Sequence, residues 1–142
     1  MSGRLRRAAL QIGFWIYLAL LLRVTVFRDG CFSHGLFHGR VEWVPFVYLA
    51  FLLRIGYWRY FLYLFVGNLV WFVPLGAFAR RHGLDVWQAV AAGFCLSVLI
   101  EAAQFTLGCG VTEVEDVILN TAGTALGCAL YALLGRGFRK IK

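Results

Sequence analysis

Five polar residues sit inside runs that are otherwise apolar. Glu101 and Gln104 stand three apart near the end of VWQAVAAGFCLSVLIEAAQFTL, and Asp116 and Asn120 stand four apart around the start of VILNTAGTALGCALYALL. Asn68 interrupts YFLYLFVGNLVWFVPLGAFA, and a basic residue, Arg23, lies near the end of RAALQIGFWIYLALLLRVTVF. Spacings of three and four put each pair on one helical face. Carboxylates beside amides can orient a polar ligand through hydrogen bonds, and a positioned Glu101 or Asp116 can move a proton as a general acid or base. Arg23 is the natural counter-ion for Glu101, because two charges buried apart cost far more than two buried together.

The elements that must position these residues are membrane spans. With 61% hydrophobic and 15% charged residues and a mean hydropathy of +0.76, the 142-residue chain falls outside the soluble globular range and fits one membrane domain over 1–142. Its net charge of +7 comes from residues at the ends of apolar runs, which argues against nucleic-acid binding. Crossing a bilayer core takes ~20 apolar helical residues. Four stretches reach or approach that length, at about 8–27, 60–79, 86–107 and 117–134. A fifth, 44–53, is too short to cross and suits a re-entrant or interfacial helix between the first two spans. The fold expected is therefore all-α, a polytopic four-helix transmembrane bundle. The first run lacks a small-x-small cleavage site and is expected to be retained as a span.

Basic residues orient the bundle. Arg4, Arg6 and Arg7, then Arg80 and Arg81, then Arg136, Arg139, Lys140 and Lys142 all fall on one side of a four-span chain, which makes both termini cytoplasmic. The four arginines between residues 28 and 59 run against this bias. In this orientation Arg23, Asn68, Glu101, Gln104 and Asn120 all lie within roughly 13 Å of the outer boundary, from a rise of ~1.5 Å per residue. Gly93, Ser97, Glu101 and Gln104 form one stripe, and Asp116, Asn120, Gly123, Thr124 and Gly127 another. A charge facing lipid costs ~2.5–3.5 kcal/mol, so both stripes are expected to face inward around an outward-opening polar cavity.

No metal or cofactor is assigned. Glu113, Glu115 and Asp116 lack the spacing and glycine of a calcium-binding EF-hand loop, and Cys31, His34 and His38 are one ligand short of a structural zinc site. Cys31 and Cys109 share the outer side, which leaves a disulfide between them open.

Three ordered blocks carry a family resemblance. NLVWFVPLG (Asn68 to Gly76) resembles the N-x-x-x-F-x-P-x-G segment of VanZ-like membrane proteins, and SVLIEAAQ (Ser97 to Gln104) resembles their S-x-x-x-E-x-x-Q helix. TEVEDVILNTAGTALG (Thr112 to Gly127) is similar to their D-x-D-D-x-x-x-N-x-x-G-x-x-x-G stretch, and WVPF (Trp43 to Phe46) to their (I/V)-P-F element. Glu113 and Glu115 stand where the family usually has aspartates, and the loop lacks the arginine that often precedes them. The family's namesake is linked to low-level teicoplanin resistance, so the resemblance implies a multi-pass protein of the bacterial cytoplasmic membrane with a role in the envelope.

The functional expectation is a non-enzymatic binding protein. Arg23, Asn68, Glu101, Gln104, Asp116 and Asn120 would engage an envelope lipid headgroup, a cell-wall precursor or a glycopeptide antibiotic, with membrane lipids as partners. The alternative is a membrane enzyme that modifies a lipid-linked substrate, with Glu101 or Asp116 as the catalytic acid/base. No nucleophile–base pair or phosphate loop is legible to support it.

Overall fold

The computed structural model describes residues 3–27, 35–37, 39–109 and 111–139. Four of its helices are long and apolar enough to cross a membrane: α1 (Gly3–Thr25), α3 (Trp58–Arg81), α4 (Val86–Leu107) and α5 (Val114–Arg139), the last by its portion Val114–Leu134. Between α1 and α3 lie a three-residue strand β1 (Arg40–Glu42) and a short helix α2 (Val47–Arg54). A second strand, β2 (Val111–Glu113), joins α4 to α5 and pairs in parallel with β1.

Local chemistry explains the ends of the helices. Asp85 accepts the Gln88 N–H at 2.8 Å while Gln88 Oε1 accepts the Asp85 N–H at 3.0 Å, a capping box that starts α4. Gly108 ends α4 with φ +61°, the left-handed conformation glycine adopts without steric cost. Acidic Glu115 and Asp116 occupy the first turn of α5, where carboxylates favour the positive end of the helix dipole. That is why α5 begins at Val114, three residues before the apolar run. Pro74 lies inside α3 and removes the donor for the Val70 carbonyl. One residue along, Tyr17 Oη donates to Trp71 O at 2.6 Å, so α1 supports α3 at this break in its ladder.

The bundle closes on small residues. Along α4 and α5, Ala89 packs with Cys128, Gly93 faces Thr124 and Ser97 faces Asn120, which is the pairing of two antiparallel helices. Along α3 and α5, Leu69 meets Gly123 and Val73 meets Gly127, the register of two parallel ones. A Cβ at Gly127 would collide with Val73 O and lie 3.1 Å from Ala77 N, so the two backbones touch. In lipid, where apolar burial does not drive association, this is how helices gain contact. Leu21, Val26, Phe72 and Ile100 form a buried cluster that ties α1 to α3 and α4. Exposed Trp15, Leu62, Trp87 and Leu99 leave an apolar outer surface, as lipid requires.

The short helix α2 spans roughly 12 Å at ~1.5 Å per residue, too little to cross. It buries Leu49 and Leu52 against Leu119 of α5 with Phe61, Leu64, Phe65 and Leu69 of α3. Cys109 is disulfide-bonded, whereas Cys95 and Cys128 are free. Cys31, whose pairing with Cys109 the sequence leaves open, lies outside the described residues, as do His34 and His38.

Candidate functional site

The end of α1, the start of α2, the first half of α3, the last turns of α4, and the β2–α5 junction converge at one end of the bundle. They enclose a cavity of ≈ 180 Å³. Asn68, Glu101, Gln104, Asp116 and Asn120 all line it. Five of the six residues singled out by sequence therefore share one site, supplied by three helices.

Their side chains are held by neighbours rather than by each other alone. Glu101, 5% exposed, accepts the Glu113 N–H on Oε2 at 2.9 Å, and its backbone carbonyl accepts the Thr112 hydroxyl at 3.1 Å. One residue in α4 thus anchors β2. Asn68 Nδ2 donates to Asp116 Oδ1, which joins α3 to α5. Gln104 Nε2 donates to Thr25 O at 3.0 Å, and Asn120 Nδ2 to Ser97 Oγ at 2.8 Å. Each of these two amides uses its nitrogen on the scaffold. Gln104 Oε1 and Asn120 Oδ1 are buried and have no hydrogen-bond partner among the described residues. An unsatisfied buried acceptor costs ~1–3 kcal/mol, so the two oxygens need an explanation.

Arg23 is the exception. Its side chain is exposed, donates to Phe27 O and does not line the cavity. The expected Arg23–Glu101 pair is not made. Depth alone suggested it, but facing decides: Leu21 is buried and Thr25 lines the cavity, and Arg23, two residues from each, points roughly 200° away at 3.6 residues per turn. The guanidinium instead reaches the Phe27 carbonyl just past the helix end, as long basic side chains near a membrane boundary do. Arg40 on β1 is exposed as well.

Other lining residues were not among the six proposed for the site. Glu113 and Glu115 add two carboxylates, and Tyr48, Tyr60 and Tyr63 add three phenols. The signal was present in α3, where positions 60, 63, 64, 67, 68 and 71 make one helical face. Glu115 accepts the Phe46 N–H, and Phe46 has a positive φ of 65°. The turn at Trp43–Phe46 thus holds an acidic residue of α5 that lies 69 positions later. Four carboxylates, Glu101, Glu113, Glu115 and Asp116, are among the described residues of the lining.

Four apolar helices closed by glycine contacts around a polar end define a multi-pass membrane protein. The VanZ/LLP1 family matches residues 14–135, and the chain belongs to that family. It is 30% identical over 79 residues to "Protein VanZ" of Enterococcus faecium. The match covers 54% of this chain and 49% of that protein, so it spans about half the length of the curated relative. No solved structure matches.

Proposed function

We propose that this chain is a recognition protein of the bacterial cytoplasmic membrane, with both termini inside and the polar cavity opening outward. The cavity takes the polar end of an envelope lipid, a lipid-linked cell-wall precursor or a glycopeptide antibiotic. The observation that carries this reading is the convergence of Asn68, Glu101, Gln104, Asp116 and Asn120, from three separate helices, on one cavity. Beside it Gln104 Oε1 and Asn120 Oδ1 are buried without a hydrogen-bond partner among the described residues, whereas amides that serve architecture alone end with their hydrogen bonds complete. Arg23 has no part in it.

A cysteine at Gly67 tests this reading. Gly67 lines the cavity and a Cβ there meets nothing within 4 Å, so Gly67→Cys, in a Cys95→Ser background, adds a thiol without a clash. We expect a membrane-impermeant maleimide to label it from outside, and short-chain lipids with sugar or ethanolamine headgroups, or teicoplanin, to slow that labelling. Labelling only from inside would overturn the orientation. Labelling that none of these compounds slows would count against recognition.

A further inference from the structure

We infer that α2 and the turn after it form a seat for anionic phospholipid at the cavity end of the bundle, with Arg54 and Arg59 on the lipid phosphates. The placement of α2 follows from its two ends. Phe46, just before it, donates its N–H to Glu115 in the first turn of α5. After Arg54 only three residues, with Gly56 at φ +77°, turn the chain into the start of α3 at Trp58. Leu69 of α3 touches Gly123 of α5 at nearly the same distance from each helix start, so the two spans begin at one level. A helix tied at both ends to that level lies along the membrane boundary rather than along the spans.

The faces of α2 say what covers it. One buries Leu49 and Leu52 in the bundle. Val47, Phe51 and Ile55, spaced four apart, line another, and Phe51 is 52% exposed. Apolar exposure continues through Trp58 into Leu62 of α3, so the face is an extension of the surface that the spans turn to lipid. At the turn the chemistry changes. Arg54 and Arg59 flank Tyr57 and Trp58, and all four are exposed. Neither arginine has a side-chain hydrogen bond or ion pair among the described residues. Amphipathic aromatics beside long basic side chains belong at headgroup level, where the stem lies on apolar surface and the planar guanidinium meets phosphate. Arg40 is exposed too but shares its strand face with exposed Glu42, so the selectivity rests on Arg54 and Arg59. Phosphate contacts also account for arginines that run against the charge bias of the loops. The seat is separate from the cavity and does not require the recognition reading.

The test is an NBD fluorophore on Phe51→Cys, in the Cys95→Ser background, with the full-length protein in phosphatidylcholine vesicles. We expect quenching by phospholipids that carry a nitroxide on the acyl chain, and little by aqueous Co²⁺. Quenching by Co²⁺ alone would put this face in water, and quenching by neither would mean that protein, such as a second copy, covers it; either result overturns the seat. The same probe reads selectivity. Nitroxide-labelled phosphatidylglycerol should reach half-quenching at a mole fraction at least about fivefold below that of labelled phosphatidylcholine, the equivalent of ~1 kcal/mol for one basic residue near an anionic surface. Arg54→Gln with Arg59→Gln should abolish this preference while quenching from the acyl chain persists, and added salt should weaken it. Arg81→Gln, exposed at the opposite end of α3, should leave it in place. Equal quenching by the two lipids, a preference that survives loss of both arginines, or one that falls as far with Arg81→Gln would overturn the assignment to Arg54 and Arg59.

Discussion

The face that α5 turns toward its neighbours carries Asp116 and Asn120 in its early turns and Gly123, Thr124 and Gly127 further on. The two halves meet α3 and α4 differently. At the glycines the backbones of α3 and α5 are in contact, and Thr124 fills the space that Gly93 leaves on α4. At the acids and amides the same helices stand around a polar cavity, and contact passes through Asn68–Asp116 and Asn120–Ser97 hydrogen bonds. The difference teaches what each residue type contributes inside a bilayer. Small residues supply stability through close packing, whereas an interspan hydrogen bond averages only ~0.6 kcal/mol. A polar corner this extensive adds little to stability for its size, which is the reason to look for a ligand there.

The comparison breaks most readily at the seam. Gly127→Leu inserts a side chain where a Cβ already collides with Val73 O, and the backbone there cannot yield as a side chain would. We expect the largest loss, about 3 kcal/mol or more at the upper end of overpacking costs, read as the unfolding midpoint in detergent and as lost accumulation. Wild-type behaviour would mean that the seam does not close the bundle. Asn68→Ala sharpens the other side. Loss of its bond to Asp116 should lower stability by only about 0.6–1.7 kcal/mol, measured in the same unfolding assay. Arg23→Gln should have the smallest effect, within about 0.5 kcal/mol, as for exposed positions. In a double-mutant cycle with Glu101→Gln its coupling should be under about 0.5 kcal/mol. A coupling above about 1 kcal/mol would restore the ion pair that the geometry denies.

Much of this was legible in the chain. Hydropathy located α3 and α4 within two residues of their ends, because length and apolar content are all a span requires. The three- and four-residue spacings put Ser97, Glu101, Gln104 and Asn120 on buried faces, as found. The β1–β2 pair was not legible: three-residue strands carry no usable periodicity, and Arg40 pairs with Val111 across half of the chain. Arg23 was misplaced because depth follows from counting residues, while the direction of a side chain depends on which neighbours pack against Leu21 and Thr25. The role of Phe46 was hidden for a related reason, since its N–H serves a carboxylate that arrives only with α5.

The central claim is that the polar corner recognises a ligand while the glycine seam holds the bundle together. Glu101→Gln tests it most directly, because an amide oxygen can still accept the Glu113 N–H while the charge is lost. Affinity for the short-chain sugar and ethanolamine lipids and teicoplanin should be compared with wild type in nanodiscs, alongside the unfolding midpoint of each protein. The account predicts an affinity at least about tenfold weaker, or ~1.4 kcal/mol, at an unchanged midpoint. Equal affinity, or a loss that only follows a fallen midpoint, would contradict it.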